Sequence, residues 1–214
     1  MFALAMMRLA GRGGARNAAE AVQLLDAAAK LKHALAAYDL GLIYLEGQVV
    51  PQDFAHAAEL FRIGADAGNA EAQYALATFY KEGRGGVPKD LAQAARLLAA
   101  AALADNIDAQ VEYAIMLFNG SGVAKDEAAA ARIFMKAARR GSAIAQNRLA
   151  NILSVGRGLP ANPVEAIKWH LVSKAGGATD LRLDDFAQKQ PPDVRAAAEK
   201  AAKPYLAAIA AARS

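Results

Sequence analysis

A glycine-bounded turn recurs five times at nearly constant spacing. Gly11, Gly47, Gly83, Gly120 and Gly156 lie 36, 36, 37 and 36 residues apart. Each is followed, after a short loop, by a small polar or acidic residue: Asn17, Asp53, Asp90, Asp126 and Asn162. The gap is six residues each time except in the third copy, where Gly85-Gly86 adds one. A period in the thirties built from two helical halves predicts a solenoid, one continuous array that offers an extended surface rather than a catalytic pocket.

The second copy shows how one repeat builds two helices. Ala36, Leu40, Gly41, Ile43 and Tyr44 fall at helical spacing within Ala34 to Glu46, which predicts the first helix of the pair, helix A. Gly47 ends it, because glycine tolerates the left-handed conformation just past a helix. Asp53 then caps helix B by accepting backbone N–H bonds that lack an intrahelical partner, worth about 1 kcal/mol. Helix B runs to about Ala67, with Ala57, Leu60, Phe61 and Gly64 on its apolar face, and Gly68 stops it. Along helix B an alanine recurs as Ala21, Ala57, Ala94, Ala130 and Ala166. A bulky residue follows three later: Leu24, Leu60, Leu97, Ile133 and Trp169. Small beside large lets helices approach and interlock, and Trp169 reads as a core residue.

The period fails after Gly176-Gly177. Thr179 is expected to cap a short helix through Asp184-Asp185-Phe186, closed by Gln190-Pro191-Pro192. A last helix then runs from about Asp193 to Ala212, bent near Pro204. Residues 1–177 therefore read as the repeat array and 178–214 as a C-terminal cap, with Arg195, Glu199, Lys200 and Lys203 on its polar outer side.

Composition narrows the function classes. The chain is 55% hydrophobic and 21% charged, so it buries a core. Its net charge of +4 is spread out rather than gathered into the patch of a nucleic-acid binder. There is no cysteine, which excludes disulfides and thiolate metal sites. The longest apolar stretch, Leu97 to Ala104, falls short of the roughly 20 residues of a spanning helix, so no direct membrane insertion is expected. Leu4, Ala5 and Leu9 stand 36 residues before Leu40, Gly41 and Leu45. The chain thus opens inside a repeat helix, and upstream residues are expected to be missing, any signal peptide with them.

No catalytic constellation emerges. His33, His56 and His170 occupy unrelated positions in different repeats and read as surface or helix-end histidines, not metal ligands. Gly11-Arg12-Gly13-Gly14 and Gly83-Arg84-Gly85-Gly86 lack the strand and the lysine-serine/threonine ending of a phosphate loop, so they read as repeat turns. Asp184-Asp185 are adjacent on a helix, point to different sides, and read as solvated surface. Arg139-Arg140 sit where cations complement a helix C-terminus. Neither a catalytic residue nor a cofactor or metal site is expected.

The residues AEAQYALATFYKEGRGGVPKD in the third copy and AIKWHLVSKAGG in the fifth resemble the Sel-one-like repeat family, a relative of the tetratricopeptide repeats. Five copies in register carry the resemblance over residues 1–177. The first copy departs from it, with Lys32 where others have Gly68 or Gly141. The resemblance implies an all-α, right-handed α/α superhelical solenoid with helix A on the concave side. It also implies a non-enzymatic scaffold for a protein or peptide partner, in the periplasm or cytoplasm of a bacterium. By analogy with the tetratricopeptide groove, the inward positions of helix A are Leu35, Tyr38, Leu42 and Leu45 in the second copy. The later copies give Glu71, Tyr74, Thr78 and Lys81, then Asp108, Val111, Ile115 and Phe118, then Ile144, Asn147, Asn151 and Ser154. Tyr38, Leu42, Tyr74, Thr78, Val111, Ile115 and Phe118 would anchor a peptide, and Asn147 and Asn151 would clamp its backbone. The alternative is a structural or regulatory domain of a larger cell-envelope protein that uses its outer helix-B face or its cap.

Overall fold

The chain folds as helix pairs in sequence order. The computed structural model describes residues 1–213 and holds twelve helices and no strand among them. They are α1 (Phe2–Ala10), α2 (Ala18–Lys30), α3 (Ala34–Glu46), α4 (Phe54–Asp66), α5 (Ala70–Glu82) and α6 (Leu91–Leu103). There follow α7 (Ile107–Asn119), α8 (Glu127–Arg139), α9 (Ala143–Val155), α10 (Pro163–Ala175), α11 (Leu181–Gln188) and α12 (Pro192–Ala211). The odd-numbered members through α9 are the A helices and the even-numbered ones through α10 the B helices.

Local chemistry sets the ends. Gly11, Gly47, Gly83 and Gly156 close A helices in the left-handed conformation, at φ 66–76°, and Gly120 has the same sign of φ. The side chains of Asn17, Asp53, Asp90, Asp126 and Asn162 each accept a backbone N–H in the first turn of a B helix. A second row of caps opens the A helices: His33, Asn69, Asn106 and Ser142 accept from Ala36, Ala72, Ala109 and Ala145. Just before the first of these, Lys32 takes a φ of +59° where other copies place glycine, and Asp105 does the same at +64°. The first copy therefore keeps the turn, at the cost of a left-handed non-glycine residue.

Two compact units are distinguished, Met1–Ala109 and the chain from Gln110 onward. In the first, each helix packs on the next, and in addition α2 packs on α4 and α3 on α5, so B helices stack on B and A on A. Ala21, Ala57 and Ala94 are fully buried. Gly41 and Gly64 mark close crossings: a Cβ on Gly41 would lie 2.6 Å from the Phe61 ring, and one on Gly64 2.8 Å from Cβ of Ala72. In the second unit α8, α9 and α10 pack in sequence, and α10 is also covered by α11 and α12.

The structure corrects three expectations. Asp180, not Thr179, caps α11, accepting from the Arg182 N–H. The deepest large position of helix B lies one residue later than the predicted slot, at Leu25, Phe61, Leu98 and Phe134; of the predicted residues Leu60 is buried as expected, whereas Leu24, Leu97 and Ile133 are half-buried. In the fifth copy that deep position is His170, only 1% exposed, so it is a core residue and not a surface histidine. Trp169 beside it is buried as predicted.

Candidate functional site

The A helices of each unit form a concavity of about 340 Å³. In the first unit it lies between α3, α5 and the start of α7, and it brings together Tyr38, Leu42, Tyr74 and Thr78. Phe61 and Phe79 stack edge to face at 5.6 Å, with Tyr38 against Phe61 at 6.0 Å. The rim carries Glu71 and Asp108. Burial, then the charges of Glu71 and Asp39, push the Tyr38 phenol above its ordinary range. It stays a neutral hydrogen-bonding group over an apolar floor. The Thr78 hydroxyl is turned inward, donating to the Tyr74 carbonyl at 3.2 Å.

The second unit's concavity is walled by α7, α8, α9 and α11, and it holds three of the predicted residues, Ile115, Phe118 and Asn151. Its charged lining is Arg148, Arg157 and Arg182. The Arg157 guanidinium lies 4.6 Å above the Phe118 ring and donates to Glu127. Lys125 holds the same carboxylate from 2.8 Å.

Three predicted residues behave otherwise. Val111 is only 5% exposed and belongs to the interior, not to a solvent-facing ridge. Asn147 and Asn151 are not a free pair. The Asn151 amide donates to the Asp180 carboxylate at 3.0 Å and to the Asn147 carbonyl at 3.1 Å, tying α9 to the cap of α11. Burial works to raise the Asp180 pKa, but the Asn151 amide and the Arg182 and Leu183 N–H groups outweigh it, and the net shift is downward.

Sequence reasoning missed two features. Gln73 donates to the Ala65 carbonyl at 3.3 Å and Gln146 to that of Ala138 at 3.0 Å, pinning each A helix to the end of the preceding B helix. The recurrence of Gln73, Gln110 and Gln146 at the repeat period was the available signal. The other is a polar knot behind α10. His170 Nε2 lies 2.9 Å from Asp184, which also accepts from Lys174 at 2.8 Å. Asp184 is thus bound rather than freely solvated, and Lys174 first, then His170, hold its carboxyl below the usual range. Among the described residues no group of histidine and carboxylate side chains is arranged to hold a metal ion. Among the described residues no helix is long and apolar enough to cross a membrane.

Glu127 supplies a test of the electrostatics. Its two cations lower its pKa from the ordinary 4.5 to about 2. A depressed native pKa contributes stability that is complete above the ordinary value and is lost as pH falls through the native one. Wild type is therefore expected to exceed Glu127→Gln in denaturant midpoint at neutral pH, with the difference closing between about pH 4.5 and 2. Added salt should shrink the difference, because the pair faces solvent. A gap independent of pH would show that Glu127 acts through packing instead.

The Sel1 repeat model matches the chain five times, at residues 1–33, 34–69, 70–106, 107–142 and 143–173. Among solved structures, the fold is similar to that of a Sel1 repeat protein from Oxalobacter formigenes. That protein is 23% identical with a TM-score of 0.77, over 94% of this chain and 85% of the other. It is also similar to c5321, a protective antigen of uropathogenic Escherichia coli strains with an SLR fold. Here the identity is 24% and the TM-score 0.59, over 96% of this chain, which spans about half (52%) of that protein. At such identities the likeness speaks for the fold alone. No curated protein matches the sequence.

Proposed function

Because the chain belongs to the Sel1 repeat family, we propose that it is a protein-interaction scaffold that holds a peptide segment or a partner helix against the helix-A side of its repeats. The family is one of non-catalytic repeat scaffolds, whose members mediate contacts between proteins. The observation that supports the helix-A side is the gathering of Tyr38, Leu42, Tyr74 and Thr78, drawn from two A helices, around one apolar-floored concavity. Such a groove accepts the apolar face of a helix or alternate side chains of an extended peptide.

The distribution of uncovered apolar side chains points the same way. Leu4, Met6, Met7, Leu35, Ile144 and Val155 are large exposed residues of A helices, against Leu91 and Leu103 on the B helix α6 and Leu181 as the sole large exposed hydrophobe among the described residues of α11 and α12. An outer or C-terminal contact therefore has less to bury. Asn147 and Asn151 enter this reading in a changed role, as residues that position α11 beside the groove rather than as the clamp itself.

The test begins from a partner captured with the intact chain. Tyr74→Ala is expected to weaken its binding by at least about 2 kcal/mol, roughly thirty-fold in Kd, as truncation of an aromatic hot spot does. Arg195→Ala, on the exposed side of α12, should leave binding unchanged. If Arg195→Ala abolished binding and Tyr74→Ala did not, the contact would lie on the C-terminal helices and the groove reading would fall.

A further inference from the structure

Building on the groove reading, we propose that the concavity of the second unit selects an acidic peptide segment, with an Asp or Glu side chain next to an aliphatic or aromatic one. Three arginines and no carboxylate are among its lining residues, and the rest of that lining is apolar apart from two asparagines. Val155 stays 67% exposed at the rim, so the apolar half of the site is open to a ligand.

The charges next to it are already committed. Glu127 is shared between Arg157 and Lys125. Asp180 accepts from Asn151 and from the Arg182 N–H. Against these stand Arg182, whose side chain is 85% exposed and reaches Asp180 only at 3.6 Å, and Arg148. Arg148 is exposed and makes no ion pair among the described residues. The excess is positive and faces the cavity. Arg157 lies over the Phe118 ring and is taken by Glu127, so the open forks are those of Arg148 and Arg182. A guanidinium fork matches a carboxylate with two parallel N–H···O bonds. In a cleft walled by apolar side chains that pairing decides which partner enters more than how tightly it binds overall. The first unit shows the contrast. Glu71 and Asp108 stand at its rim, and its one arginine, Arg84, is paired with Glu82 at 3.3 Å.

A peptide fits better than a polyanion. The only aromatic side chains on the lining are Phe118, already covered by Arg157, and Phe134, which is buried, so no free ring is offered for base stacking. The experiment is selection of a displayed library of random peptides on the full chain, followed by affinity measurement of the selected sequences. The expected result is enrichment of acidic residues beside apolar ones. Binding of those peptides should weaken at least about tenfold in Arg148→Glu, weaken in Arg148→Gln and at high ionic strength, and persist in Arg195→Glu, which carries the same change in net charge. Arg148→Gln and the salt series on wild type keep the test valid should Arg148→Glu lose helical circular dichroism. Selected peptides without acidic enrichment, bound equally by both Arg148 variants but lost in Tyr74→Ala, would overturn this proposal and leave the groove reading standing. A selection that enriches nothing would overturn both. A single-stranded oligonucleotide that displaced the peptides and bound more tightly would overturn the peptide assignment in favour of a polyanion surface.

Discussion

Gly85→Ala is expected to cost the fold about 2–5 kcal/mol, while Gly86→Ala, its neighbour, costs about 1–2. Both residues have left-handed backbones, at φ +63° and +73°, so each substitution carries the steric penalty of an L side chain in that region. They differ in what a Cβ would meet. On Gly86 it would point into open space, with nothing within 4 Å. On Gly85 it would lie 2.3 Å from the carbonyl oxygen of Phe54 and 2.9 Å from that residue's carbonyl carbon, backbone that cannot yield as a flexible side chain does. Phe54 opens α4, so the loop after α5 lies directly on the first residue of the preceding B helix. The fifth copy repeats the contact, since a Cβ on Gly158 would lie 2.3 Å from the Glu127 carbonyl oxygen at the start of α8. Urea melts of the two variants isolate the contact, because the φ penalty is common to both. Equal losses would mean that the loop shifts away from α4 freely and that the glycine serves the turn alone.

That contact also marks where the sequence stops being readable. The helix ends were legible because their causes are local: Gly47 and Asp53 act on residues within one turn of themselves. Gly85 and Gly158 answer to residues 31 positions earlier, and nothing near them in the chain distinguishes this role from an ordinary turn. The register of the helix-B core was blurred for a related reason. In the first and third copies the predicted and the deeper position are both leucine, Leu24-Leu25 and Leu97-Leu98, so composition cannot tell which faces inward. Only the stacking of the next pair decides it. The groove residues divide similarly. Tyr38, Leu42, Tyr74 and Thr78, picked by analogy with the tetratricopeptide groove, line one concavity, but α7 is apolar on several faces, and Val111 is interior. Asn151 was readable as a polar residue at an inward position. Its commitment to Asp180 was not, because the partner belongs to a helix outside the period.

Trp169→Ala is expected to cost about 3–5 kcal/mol, the range for deleting a buried aromatic where the surroundings collapse only partly. It should also loosen α12 selectively. Trp169 is 2% exposed and its ring lies 5.0 Å from that of Tyr205 on α12. The fully buried residues of α12 are small, Ala198 and Ala202, and Val194, Leu206 and Ile209 are half-buried, so this aromatic pair is the largest single apolar contact described on that side. Lys168, itself 8% exposed, lies with its ammonium 4.3 Å from the Trp169 ring and 5.6 Å from the Tyr205 ring. It keeps its ion pair with Glu165, at 2.5 Å, when the indole is removed. No unpaired buried charge is created, so the loss should be one of packing and should change little with salt. Trp169→Phe, which retains a ring against Tyr205, is expected to lose less. Denaturant melts followed by circular dichroism measure the total, and hydrogen exchange of the α12 amides locates it. Unchanged protection in α12 with a loss below about 1 kcal/mol would show that the helix is held by its alanine contacts. A loss that grew with salt would shift the weight to the Lys168–Glu165 pair.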